Sequence, residues 1–367
     1  MKELHIGGLT AEIPIVQGGM GFGISLSGLA AAVAETGAIG VIAGALIGML
    51  RPEATSDFLG ANRRALRDEI RRARSMTKGI IGVNVMVKLS SFAVLAKTAM
   101  DEGVDIIFAG AGLPLELPRL RPPGSNTRLV PIVSSARAFR IIATRWIERY
   151  HYPPDGVVVE GPLAGGHLGF KREQIDDPEY SLERLVPAVV EEVHRFERKS
   201  GKPIPVIAGG GIYTGADIRR FLDMGAAGVQ MATRFVGTRE CDASAQFKQS
   251  YLDAHEGDVV IIQSPVGMPG RAVRNRFIAD VEAGERKPFV CPYQCISTCD
   301  VANAPYCIAL ALKNARDGNL EQGFTFAGSN AHRVSKITSV AELITELKAE
   351  YAASEPVLSD EAEGSPT

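Results

Sequence analysis

Little in this sequence points toward nucleic acid or a membrane. Lysine and arginine number 40 against 42 aspartate and glutamate, a formal net charge of −2, so no global basic field draws the chain to a polyanion. Arginines do gather in Arg63–Arg74. Asp68 and Glu69 interrupt that run, however, and its apolar residues recur at helical spacing, which marks a solvated helix face. Long hydrophobic runs are missing too. The uncharged stretch Ala38–Leu50 has 13 residues and is broken by Gly40, Gly44 and Gly48; a membrane-spanning helix needs ~20. It reads as a buried strand and its following loop. Met1–Thr10 lacks a basic region followed by an apolar one, so no secretory signal is expected. These absences predict a cytoplasmic protein with neither nucleic-acid nor membrane partners.

Cysteine is scarce, at five residues, and low-complexity tracts are absent despite 39 glycines. The glycines must therefore be spent at particular places. Hydrophobic residues make up 46% and charged residues 22%, ordinary for a chain with a sizeable core. Short Val/Ile-rich runs alternate with amphipathic helical stretches. Strands are expected at Ile13–Gln17, Ala38–Ala43, Gly79–Val85, Asp105–Ala109, Leu129–Val133, Gly156–Glu160, Ile204–Ala208 and Gly228–Ala232. Helices follow them, the first over Ser25–Thr36 with Ser25 or Ser27 as its cap. Eight β-then-α units with apolar strands predict a parallel sheet buried on both faces, closed as a (β/α)₈ TIM barrel. The runner-up, an open doubly wound sheet, leaves Gly228–Ala232 as an unprotected edge.

The rhythm stops near residue 257. Residues 1–257 are read as the barrel. Residues 258–351 are read as a lid and C-terminal extension, with a short strand at Val259–Gln263, a loop over Ser264–Arg276 and two closing helices. Residues 352–367 are read as a disordered tail.

In such a barrel the chemistry sits at the C-terminal strand ends. Those ends are rich in small residues, as a flat aromatic cofactor lying against backbone requires. Gly210 and Gly211, with Ala232 and Thr233, follow strands seven and eight, where barrels commonly hold a phosphate; a tight turn explains three consecutive glycines as well. His167 alone among six histidines lies in a glycine-rich loop at a strand end, where titration near neutrality suits proton transfer. Asn84 ends an apolar strand and needs partners that a cofactor or a neighbouring loop supplies. Cys291, Cys295, Cys299 and Cys307 fall within 17 residues. Four thiols in a cytoplasmic protein argue against disulfides and suggest a [4Fe-4S] cluster or zinc. The alternative is that Cys307 and Cys295 are simply small buried residues.

Several stretches resemble the family of nitronate monooxygenases and flavin-type enoyl-acyl carrier protein reductases: Pro14–Gly21, Gly82–Asn84, Ala164–Gly169, Pro205–Ile212 and Gly228–Phe235, in family order over about residues 1–280. The resemblance implies FMN held by Gly18, Gly19, Met20, Asn84 and Gly166 and by the Gly210-Gly211 and Ala232-Thr233 phosphate loops, with His167 near the reactive face. It implies either oxygen-dependent oxidation of alkyl nitronates or NAD(P)H-dependent reduction of enoyl thioesters or quinones. The monooxygenase branch carries lysine at the end of strand five, where this chain has Ser134-Ser135, while Met86 and Val87 look more like the reductases. The expected partners are a small-molecule substrate and a second copy of the chain in a homodimer. A barrel that merely binds a phosphate ligand is the non-enzymatic alternative.

Overall fold

The computed structural model describes residues 1–291 and 293–355. In chain order it contains β1 (Leu4–Ile6), β2 (Leu9–Ala11), β3 (Ile15–Gln17), α1 (Ser27–Glu35), β4 (Gly40–Ala43), α2 (Phe58–Met76), β5 (Ile81–Met86), α3 (Phe92–Asp101), β6 (Ile106–Gly110), β7 (Arg128–Val133), α4 (Ala136–Tyr150) and β8 (Val157–Glu160). Then come β9 (Gly166–His167), α5 (Leu182–Ser200), β10 (Val206–Gly209), α6 (Gly215–Asp223), β11 (Gly228–Met231), α7 (Thr233–Val236), α8 (Ala245–Leu252), β12 (Val259–Gln263), β13 (Pro269–Val273), α9 (Arg276–Glu282), α10 (Ile308–Arg316) and α11 (Val340–Ala353).

Eight parallel strands pair in the order β3-β11-β10-β8-β7-β6-β5-β4. The ends meet at a parallel bridge between Val16 and Ile39, with Gln17 N–H donating to Ile39 O at 2.9 Å. This is the (β/α)₈ barrel. Side chains alternate inward and outward along each strand. Val16, Val41, Ile106, Phe108, Val130, Val158 and Ile207 fill the interior, while Val83, Val133, Val157, Val159 and Val229 pack against the helices. Leu4 and Ile6 of the β1–β2 hairpin join the interior cluster, so that hairpin stoppers the N-terminal end of the barrel.

Local chemistry departs from the sequence reading in three places. Neither Ser25 nor Ser27 caps α1. Leu26 is the capping residue and has no side-chain bond. Ser25 Oγ instead accepts the Met20 N–H at 2.9 Å, and Asp242 accepts the N–H groups of Leu26 and Leu29 from 216 and 213 residues away. Second, Ser264–Arg276 is not a loop. Its middle is β13, which pairs with β12 on one side and β9 on the other; Gly270 and the buried Arg271 hide a strand from a pattern search. Third, α11 runs through Ala353, past the expected start of the tail at Ala352, and residues 356–367 of that tail lie outside the described residues. Among the described residues no helix is long and apolar enough to cross a membrane.

Candidate active site at the barrel mouth

The inward positions continue to the C-terminal rim, where the same parity selects Gly18, Ala43, Asn84, Gly110, Ile132, Glu160, Gly209 and Gln230. Half of this layer is glycine or alanine. A cavity of about 820 Å³ opens above it, toward the upper end of the roughly 300–1,000 Å³ typical of ligand sites. Asn84, Glu160 and Gln230 line the cavity. Although half-buried, none of their side chains has a hydrogen-bond or ion-pair partner among the described residues. Three polar groups without a protein partner, each still in reach of solvent, offer donors and acceptors to a ligand over an apolar barrel core. The glycines beside them are sterically required. A Cβ at Gly19 would lie 2.4 Å from that of Asn84, and one at Gly18 would lie 3.3 Å from Gln230 Cγ.

Gly210 (φ +101°) and Gly211 (φ +87°) turn in the left-handed region after β10, which favours glycine. The N–H groups of Gly210, Gly211 and Thr233 and the Thr233 hydroxyl donate to no acceptor among the described residues. Successive free amides in such a turn form an anion-binding concavity. Gly328 closes it from the C-terminal segment, where a Cβ would lie 2.6 Å from Thr233 Oγ1. Met20, Ala232 and Gly166 line the same cavity. The structure thus brings together every residue assigned here from sequence except the cysteines.

His167 lies on β9, paired with Gly270 of β13. Its Nε2 is 2.8 Å from Ser264 Oγ, and Phe326 packs edge-on at 4.9 Å between ring centroids. The Val266 N–H points at the same serine oxygen at 3.5 Å. The direction of the Ser264–His167 hydrogen bond follows the imidazole tautomer, since the hydroxyl can donate to Nε2 or accept from it. Burial, and secondarily the Lys88 charge, push the His167 pKa down to about 4. The ring is neutral at physiological pH and is suited to accept a proton. Lys88 lines the cavity and has no carboxylate partner among the described residues. Removing a like charge favours the protonated ring, so Lys88→Met should raise the His167 pKa. NMR titration of the imidazole would register this; an unmoved titration would mean that burial alone sets it.

Arg271 fastens this assembly. It is 6% exposed and donates to Pro162 O and, at 2.9 Å, to Ala164 O, which binds β13 to the loop carrying His167. Burial lowers its pKa to about 10, so it remains charged at neutral pH. Arg271→Met should cost roughly 1.5–3 kcal/mol, readable by denaturant unfolding; unchanged stability would remove the fastening role.

The cysteines do not assemble as expected. Among the described residues no three His, Cys, Asp or Glu side chains gather to hold a metal ion. Cys291, Cys295, Cys299 and Cys307 are free thiols, and the arrangement of the described residues gives the suggested [4Fe-4S] or zinc centre no support. Cys295 and Cys307 belong to the apolar core instead. Burial, then Cys307 and Cys291, push the Cys295 thiol up to about 12. Cys291 and Cys299 stay half-buried.

The match to known proteins follows this geometry. The family model described as nitronate monooxygenase matches residues 2–350. The chain belongs to that family. A Mycobacterium tuberculosis relative, (3aS,4S,5R,7aS)-5-hydroxy-7a-methyl-1-oxo-octahydro-1H-indene-4-carboxyl-CoA dehydrogenase, is 29% identical over 75% of this chain and 67% of its own. A probable nitronate monooxygenase of Staphylococcus aureus is 26% identical over 76% and 79%. FabK from Thermotoga maritima superposes with a TM-score of 0.72 at 27% identity, covering 93% of each chain. The protein of this family is accordingly an oxidoreductase on a TIM barrel. Sequence reasoning missed Lys88, Ser264 and Arg271 as site residues because their positions depend on the β12–β13 hairpin and on loop packing. Gln230 and Glu160 were within reach: each is a polar residue at the inward parity of a barrel strand end.

Proposed function

We propose that this chain is an FMN-dependent oxidoreductase acting on a small-molecule substrate, with oxidation of alkyl nitronates by oxygen as its reaction. The observation that carries the flavin reading is the array of unpartnered groups in one cavity: free amides around a phosphate-sized turn, and Asn84, Glu160 and Gln230 on the floor. A flavin mononucleotide has the matching parts, a phosphate at one end and a flat ring system with carbonyl oxygens, ring nitrogens and one N–H at the other. When bound, it supplies an acceptor for electrons that side chains lack. The protein's own part is to place the substrate beside a neutral imidazole on a rigid sheet and to accept a proton there.

A second reading is favoured by Ser134. This residue directly follows β7, where the monooxygenase branch has lysine, and its hydroxyl is spent on Gly169 O at 3.0 Å. Together with the likeness to a carboxyl-CoA dehydrogenase and to FabK, it supports NAD(P)H-linked chemistry on a thioester or a quinone. Anaerobic mixing separates the two. Bleaching by a nitronate with indifference to NAD(P)H supports the first, and rapid bleaching by NADH or NADPH supports the second. A colourless protein that takes up no FMN would remove both.

A further inference from the structure

Glu160 has no place in the proton chemistry assigned to His167, yet it occupies the cavity floor. It ends β8, in register with Gly209 of β10. On its other side, continuing the register of β7 with β8 places Ser134 at the same level. Gly209 has no side chain and the Ser134 hydroxyl donates to Gly169 O, so neither flanking residue hydrogen-bonds Glu160. The other titratable and charged side chains that line the cavity are His167 on β9, Tyr251 on α8, and Lys88, Lys171 and Arg172. None of them influences Glu160, whose pKa is raised to about 7 by burial alone. An ionised Glu160 is therefore a carboxylate with no counter-charge and no donor, facing a space whose other floor groups are amides.

We infer that Glu160 meets the bound ring system as a carboxylic acid, donating its O–H to an acceptor atom of the flavin, and so makes flavin retention depend on pH. The inference rests on the FMN reading above. Covering Glu160 with a ring removes what solvent access it has and disfavours the charged form further. The ionised form would also add to the negative charge that the phosphate brings into the cavity. Asn84 and Gln230 can serve either donors or acceptors; of the three floor groups, only Glu160 changes its hydrogen-bonding sense with pH.

The test is flavin release from diluted holoenzyme, followed by the fluorescence of free FMN between pH 6 and pH 8. If the protonated form is the one that binds, the Kd should rise about tenfold over this range, with a midpoint near the value burial sets. Glu160→Gln keeps the shape and an N–H donor and should flatten the profile. Riboflavin, which lacks the phosphate and its own ionisation near pH ~6, should show the same dependence in the wild-type protein. A pH-independent Kd, an unchanged profile in the glutamine variant, or a dependence seen with FMN but not riboflavin would each overturn the inference while leaving flavin binding intact. Failure to bind flavin at any pH would instead overturn the FMN reading.

A second readout does not need flavin. The Glu160 carboxyl has a raised pKa in the folded state, so its stabilising contribution is complete below the unfolded value and is lost as pH rises through about 7. Flavin-stripped Glu160→Gln should match the wild type in thermal stability at acidic pH and exceed it at pH 8. Equal curves across the range would show that Glu160 is not held protonated.

Discussion

His167→Ala should lower turnover by roughly 10²–10⁴-fold while leaving flavin bound, if the imidazole transfers a proton in the reaction. The geometry sets both halves of this expectation. His167 reaches the cavity from β9, above the floor, whereas the cradle proposed for the flavin consists of Gly18, Gly19, Asn84 and the Gly210–Thr233 turns on other strands. Its depressed pKa gives the pH profile a sign. The ring is neutral, and competent as a base, from neutrality down to about pH 4; activity limited by this group should fall only as pH drops through that value. An acid limb near pH 6.5, the ordinary value for a histidine, would show that the ring is not desolvated in the working enzyme. Unchanged turnover in the alanine variant would withdraw the catalytic role altogether.

Gly210→Val should empty the site of flavin. The residue has φ +101°, and a Cβ there would lie 2.9 Å from Gly161 O and 3.1 Å from Gly161 N, both backbone atoms that cannot swing aside. Strain of this kind costs about 1–3 kcal/mol, and the turn that aims the free amides would be rebuilt. The measurement is visible flavin absorbance per chain after purification. Gly201→Val is the matched control. Gly201 also has positive φ, +67°, as the C-terminal cap of α5, but open space surrounds the added Cβ. It should lose some stability and keep its flavin. Equal flavin content in the two variants would sink the idea that the Gly210 turn is the phosphate cradle.

The barrel was readable because its strands are short, apolar and separated by helices of 3.6 periodicity, and because parallel strands joined in this way have few topologies open to them. The rim was readable for the same reason: once Val157–Glu160 or Gly228–Met231 is a barrel strand, its last residues are at the mouth. What escaped the sequence is what depends on distant partners. Ser25 looks like a helix cap, yet Asp242 takes the amides at the start of α1 from across the chain. Arg271 looks like a loop cation, yet it is buried and spends its charge on two carbonyls. The cysteine spacing invited a metal, but spacing along an irregular segment says nothing about where the sulfurs point, and two of them turned into the core.

The N-terminal hairpin has a consequence for traffic. With Leu4 and Ile6 wedged into the far end of the barrel, the cavity formed by the described residues opens at the C-terminal rim. If the proposed flavin lies on its floor, substrate and product share that doorway, and a bulkier side chain at the rim would slow the passage of both.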